Sequence, residues 1–241
     1  MFSLEETVLG ETTSPGVFAG IRGIVFDCDG VILDSRGSNT WFYNNLRNLV
    51  GLGPMTEEEE EYVHTRHVYE SLRRIMPGDY YEKALEARKA FDYRSVLPHL
   101  KLMPGFMDFL SWARSSGVLL GVNTSRTDTM DMVLGHLGLS GFFTPVVTSF
   151  KVTNPKPHPE GLHLVCEMWR LRPRDIVFVG DASVDEESAA RAGVRFWSYG
   201  NPKLTADLHI SSYRKLLAGL KRAARLGVFP AGSTQHVGTR T

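Results

Sequence analysis

IRGIVFDCDGVILDS, residues 21–35, is the stretch on which the fold turns. Residues 23–26 are a short apolar run that meets Asp27 directly. Cys28, Asp29 and Gly30 follow, and then a second apolar run over 31–33. A run of this length, rich in β-branched residues, predicts a strand buried on both faces, as in a parallel sheet. In open α/β sheets ligands bind beyond the carboxyl ends of the strands, so Asp27 and Asp29 stand where chemistry is expected.

The same pattern recurs downstream. Residues 118–122 predict a strand ending in Asn123, Thr124 and Ser125, and 145–148 a short third strand. Residues 176–179 predict a fourth, ending in Gly180 and Asp181; 194–197 predict a fifth, and 206–210 a short edge strand. Helices are predicted over 106–116, 127–137, 159–170, 183–192 and 213–225. This alternation predicts an α/β fold with a doubly wound, Rossmann-like parallel sheet.

Residues 36–98 break the alternation. They read as helices: one with Ser38 as N-cap, one opened by a Thr56/Glu59 capping box, and one over 79–97. The stretch is rich in Tyr and Arg and predicts an inserted helical module. The expected division is therefore an arm over 1–20, a core over 21–35 and 99–226, the insert over 36–98, and a flexible tail over 227–241.

Composition narrows the function classes. Over 241 residues, 27 Lys and Arg balance 27 Asp and Glu, so no global field favours nucleic acid or an anionic membrane. No apolar run is long enough to span a bilayer. The first residues lack a basic segment followed by an apolar one, so no signal peptide is expected. Cys28 and Cys166 have neither metal-ligand spacing nor a disulfide framework, which predicts a reducing, cytoplasmic location.

Three strand ends thus carry polar side chains: Asp27 and Asp29; Thr124 and Ser125; Asp181 and Asp185. Lys156 lies in the loop NPKPHPE. Singly, the acids would read as turn or cap residues, Thr124 and Ser125 as helix caps, and Lys156 as a surface lysine. Gathered on one sheet edge, the carboxylates would repel one another unless a divalent cation sat among them. Hard oxygen ligands of this kind suit Mg²⁺. A lysine and a hydroxyl beside it complete a pocket for a phosphoryl group.

In order, DCDGVILDS, GVLLGVNTS, KPHP and VGDASVDEESAARAGV resemble the four motifs of the haloacid dehalogenase superfamily in its phosphatase form. The likeness runs from Ile21 to about Leu216 and is nearest to the branch with a helical cap, which includes phosphoglycolate phosphatase-like and β-phosphoglucomutase-like enzymes. The resemblance implies that Asp27 is the nucleophile and Asp29 the general acid/base. It implies Mg²⁺ held by Asp27, the Asp29 carbonyl, Asp181 and, directly or through water, Asp185, and a phosphoryl group held by Thr124, Ser125 and Lys156. It further implies a phosphatase for a small phosphorylated metabolite, acting as a monomer or homodimer without nucleic-acid or membrane partners.

A phosphomutase is the alternative, and a non-catalytic phosphate-binding protein a weaker one. Dehalogenase and phosphonatase activities do not suit an acid at Asp29. A signalling receiver domain does not suit the order of the acids. In the cap, Trp41, Tyr43, Arg66, His67, Tyr69, Arg73 and Arg94 are candidates to touch substrate, with Arg66 or His67 chosen for a second anionic group. Cys28 is expected to face the core. Asn123 departs from the apolar residue usual there, and His158 is assigned no catalysis.

Overall fold

A computed structural model describes residues 13–64 and 68–230. The chain forms two compact units: one runs to Ile32 and resumes at Leu102, and the other is Leu33–Lys101.

In chain order, the first unit opens with a 3₁₀ turn, Pro15–Phe18, and strand β1, Gly23–Phe26. The connecting strand β2, Leu33–Asp34, leads into helices α1 (Arg36–Leu49), α2 (Glu57–His64), α3 (Val68–Ile75) and α4 (Tyr80–Lys89). A 3₁₀ segment, Tyr93–His99, precedes β3, Lys101–Leu102, which pairs with β2. There follow α5 (Phe106–Ser115), β4 (Leu119–Asn123), α6 (Met130–His136), β5 (Val146–Val147) and α7 (Glu160–Trp169). The chain closes with β6 (Ile176–Gly180), α8 (Ser183–Ala192), β7 (Arg195–Tyr199), β8 (Leu208–Ile210) and α9 (Tyr213–Arg225).

The main sheet has the order β5-β4-β1-β6-β7-β8, parallel throughout. β1 is central, with Val25 opposite both Gly121 of β4 and Phe178 of β6. All four β1 side-chain positions are buried, which is why its sequence is continuously apolar rather than alternating. After β1 the chain builds outward on one side and then on the other, so the switch point of the sheet lies at β1's carboxyl end.

Helices cover both faces. On one, α7 and α8 bury Leu162, Val165, Ala189 and Ala192 with Val25, Phe178 and Phe196. Trp169 lies against Gly23 and Gly121 of neighbouring strands, where any side chain would displace it, and its indole N–H donates to the Thr144 carbonyl at 2.6 Å. On the other face, Phe26 meets Phe106, Phe109 and Phe143 edge-on, and Tyr213 packs against Phe106 and Tyr199. Edge-on aromatic pairs add to what area burial alone supplies. The Tyr213 hydroxyl donates to the Val31 carbonyl at 3.0 Å, tying α9 to the turn that follows Asp29.

The helical unit has its own core, built from Tyr43, Leu46, Val63, Leu72, Ile75 and Ala84. Its capping box forms in full: Thr56 N–H donates to Glu59, and Glu59 N–H to the Thr56 hydroxyl.

Several boundaries differ from the sequence expectation. α1 begins at Arg36, ahead of Ser38, whose buried hydroxyl instead donates back to the Ser35 carbonyl at 3.0 Å. The single helix expected over 79–97 is divided, because Asp92 turns its carboxylate onto Arg94 N–H and starts a 3₁₀ segment that tolerates Pro98. The helix expected from residue 127 starts at Met130, leaving 124–129 as loop.

Part of the expected arm is ordered: Phe18 is buried and meets Trp197 edge-on, with centroids 5.6 Å apart. Part of the expected tail is packed too. Val228 N–H donates to the Ala223 carbonyl, and buried Phe229 stacks on Trp112. Residues 1–12 and 231–241 of those two segments lie outside the described residues.

Tyr213→Phe removes one buried bond and leaves the Val31 carbonyl without that donor. It should lower unfolding stability by about 1–3 kcal/mol, seen as a fall in the urea midpoint at unchanged m-value. An unaltered midpoint would show that the bond contributes nothing to anchoring the turn.

Candidate active site

Asp27 is the first residue past β1, and its N–H still donates to the Val179 carbonyl of β6 at 2.9 Å. The ladder therefore fixes the backbone of this carboxylate. Gly30 follows with φ +74°, and a Cβ there would collide with the Asp181 carboxylate. Glycine is required at this position both for the left-handed turn and for the close approach.

The Lys156 ammonium bridges two acids. It donates to Asp185 Oδ1 at 2.6 Å and lies 2.8 Å from Asp27 Oδ1. The Lys156 side chain is 3% exposed, and its ammonium sits over the Phe178 ring, 5.6 Å from the centroid. The other Asp185 oxygen accepts from the backbone N–H groups of Asp181 and Ala182, at 3.2 and 3.1 Å. Asp185 is thus fully engaged within the protein and orders the start of α8 as well as Lys156. Gly180 makes room for it, because a Cβ there would meet the Asp185 side chain. The Asn201 amide fixes the Asp181 backbone by donating to its carbonyl at 2.8 Å.

Asp27, Asp181 and Asp185 each offer a carboxylate oxygen, all within 4.8 Å of one another. Crowding and burial raise the proton affinity of Asp27 and Asp181. Burial, with Asp185 and Asp29 acting in the same direction, pushes Asp27 up to about 7 against the opposing pull of Lys156. Burial, then Asp27 and Asp185, push Asp181 up to about 8. Burial opposes the charge on Lys156, but Asp185 and Asp27 outweigh it and hold the ammonium above its ordinary range. An excess of negative charge over one ammonium, with oxygen donors in reach of one point, fits a hard divalent cation.

The second acid has another partner. Arg126 grips both oxygens of Asp29, Nε to Oδ2 and Nη2 to Oδ1, each at 2.7 Å. Thr124, buried beyond the end of β4, accepts from Arg126 N–H at 3.2 Å through its hydroxyl. Ser125 is exposed. Neither caps a helix, since α6 starts later. Cys28, between the two acids, is buried, and burial raises its thiol well above the ordinary range.

The first unit therefore brings together Asp27, Asp29, Lys156, Asp181 and Asp185 by ion pairs and shared proximity, with Thr124 tied to Arg126 and so to Asp29. Arg66 and His67 lie outside the described residues. Of the other candidates in the helical unit, Tyr43 belongs to its core, Trp41 stacks on His99 at 4.4 Å, and Arg73 and Arg94 meet Tyr81 and Asp92. The Arg88 guanidinium lies over the Tyr69 ring. Asn123 is buried beside Gly161. Reading the sequence missed Arg126 and Asn201; the one available signal was a basic residue two places after Thr124.

Comparison with known proteins places the fold in a family. Residues 24–198 match the model of the haloacid dehalogenase-like hydrolase family. A crystal structure of a HAD-superfamily hydrolase, subfamily IA, from Geobacter sulfurreducens is 37% identical; it superposes with TM-score 0.76 over 83% of this chain and 96% of that one. A phosphoglycolate phosphatase of Shigella boydii is 29% identical over 203 residues, 73% of this chain and 80% of its own length. A β-phosphoglucomutase from Clostridium difficile shares the fold at 22% identity and TM-score 0.66, over 86% of this chain and 99% of its own. With the family model matching residues 24–198, most of its length, the chain belongs to the haloacid dehalogenase-like hydrolases.

Proposed function

We propose that the chain is a Mg²⁺-dependent phosphatase that hydrolyses a small phosphorylated metabolite, of the phosphoglycolate kind, through an aspartyl phosphate on Asp27. The observation that carries this reading is the Asp27 carboxylate, fixed at the end of the central strand 2.8 Å from a buried ammonium. The phosphoglycolate phosphatase relatives support the substrate class.

An Asp27 oxygen bonds to phosphorus as the bond to the leaving oxygen breaks, and Asp29 gives that oxygen its proton. Water then attacks phosphorus and passes a proton to Asp29. The bond from phosphorus to Asp27 breaks, and inorganic phosphate leaves with the carboxylate restored. Lys156 offsets charge on the phosphoryl oxygens, and the Thr124 hydroxyl and Ser125 N–H donate to them. Asp27, Asp181 and the Asp29 carbonyl would hold the cation, with Asp185 acting through water because its own oxygens are engaged. The cation supplies neutralisation of charge on the transferred group.

Leu33–Lys101 is read as a substrate-selecting cap. Among the described residues no helix is long and apolar enough to cross a membrane, and both cysteines are free and buried, which fits a reducing compartment such as the cytoplasm.

Asp27→Asn should abolish phosphate release from an aryl phosphate, by at least about 10³-fold, while circular dichroism is unchanged. EDTA should remove wild-type activity and Mg²⁺ restore it. Substantial turnover by the variant would sink the mechanism. Isomerised sugar phosphate without free phosphate would mark a mutase instead.

A second test uses the raised carboxyls. Asp27 and Asp181 move from 3.8 to about 7 and about 8, so the folded chain binds these protons more tightly than the unfolded one. Their ionisation therefore costs folded-state stability as pH rises from about 4 to about 8. The metal-free protein should have a lower Tm at about pH 8 than at about pH 5, and Mg²⁺ should raise Tm more at the higher pH. Asp181→Asn should flatten the metal-free slope. A metal-free Tm that climbs over this range, with the same slope in the variant, would contradict the assignment.

A further inference from the structure

We infer that Arg126 selects substrates that carry a carboxylate beside the phosphate ester, and that Asp29 occupies the carboxylate's place until substrate binds. The inference rests on the phosphatase reading above and names a selecting residue within the same site.

The pair is built to hold a carboxylate. Both Asp29 oxygens are taken by Arg126 in a two-point grip at 2.7 Å. Planar guanidinium and planar carboxylate match in this geometry, whereas a lysine would offer only a point charge. The arginine is the fixed partner. Its N–H donates to the Thr124 hydroxyl at 3.2 Å, and its carbonyl accepts from Ser149 N–H and the Ser149 hydroxyl at 3.0 and 3.1 Å. The loops after β4 and β5 thereby clamp its backbone. Its side chain is 11% exposed, against 37% for Asp29, so the carboxylate is the more accessible member of the pair.

This arrangement conflicts with the task of Asp29. An acid/base must place an oxygen against the leaving group, and here both oxygens face Arg126 instead. To act, Asp29 must leave at least part of that grip. Arg126, only 11% exposed, would then have given up a two-point ion pair, a loss that another carboxylate in the same place would make good. A carboxylate on the substrate restores the same two bonds. An ester without one offers nothing in exchange for the lost ion pair, and a site built to bond a ligand group discriminates strongly against the ligand lacking it. Exchange of one carboxylate for the other couples release of Asp29 to arrival of the right substrate.

Phosphoglycolate and ethyl phosphate differ in carrying a carboxylate or a methyl group. Their kcat/KM values should be measured for the wild type, Arg126→Ala and Arg126→Lys, with thermal melts to verify folding. The ratio of phosphoglycolate to ethyl phosphate should fall at least about tenfold in Arg126→Ala, chiefly through KM for phosphoglycolate, and to an intermediate value in Arg126→Lys. If the alanine variant does not fold, the lysine variant decides alone. An unchanged ratio, with both esters slowed alike through kcat, would overturn the inference and leave Arg126 as a positioning residue for Asp29. A wild type that releases phosphate from neither ester nor an aryl phosphate would overturn the phosphatase reading, and this inference with it.

Discussion

A single ammonium held between two carboxylates organises the site. Lys156 reaches Asp27 and Asp185 within 2.8 Å while almost wholly enclosed. Burying such a group is costly unless its partners are well placed, and removing one partner leaves the other charge stranded. The strand order supplies those partners. β1, carrying Asp27, pairs directly with β6, after which Asp181 and Asp185 follow. Lysine comes from the loop before α7, over Phe178 of the same β6. Had β6 paired elsewhere in the sheet, the carboxylates would have had no common counter-ion.

The two acids of the opening motif stand two residues apart and are given different electrostatic partners. Asp27 belongs to Lys156 and the acid cluster. Asp29 belongs to Arg126, which comes from beyond β4 on the opposite side of β1. The intervening Cys28 is buried, so one short turn presents one carboxylate to each side of the central strand's end. Gly30 and the Tyr213–Val31 bond hold that turn. The proposed division of labour between nucleophile and proton carrier would thus coincide with a division of ion pairs, fixed by which strands flank β1.

Much of this was legible in the sequence, and the reasons differ by element. Buried parallel strands leave continuous apolar runs, so β1, β4 and β6 announced themselves, and their polar ends marked the site. Phe18 and Phe229 were not legible, because one aromatic anchor in a short Gly-, Ser- or Pro-containing segment has no periodicity to betray it. The 3₁₀ segment Tyr93–His99 was hidden for a related reason: its composition continues that of a helix, while Asp92 and Pro98 change the local bonding. Arg126 was missed because an arginine after Thr-Ser looks like any solvated loop residue. Its meaning appears only when a side chain 97 positions earlier closes the ion pair. Asp185 was expected to meet the cation directly or through water, and its structural occupation of both oxygens could not be inferred from spacing.

That last distinction bears on how such a site keeps its charges balanced. Three carboxylates within reach of one point look interchangeable, yet they are not. Asp185 is committed to Lys156 and to the start of α8, so its charge is already answered by the fold. Asp181 is fixed through its backbone by Asn201, and burial and neighbouring acids oppose its ionisation. Asp27 shares the same ammonium and, under the proposed mechanism, would have to stay available to phosphorus. The carboxylate least answered by the protein is therefore Asp181, and it is the one from which a cation would remove the most repulsion. Asp185 thus serves to build the site, and under the proposed mechanism Asp181 would hold the cation and Asp27 would react.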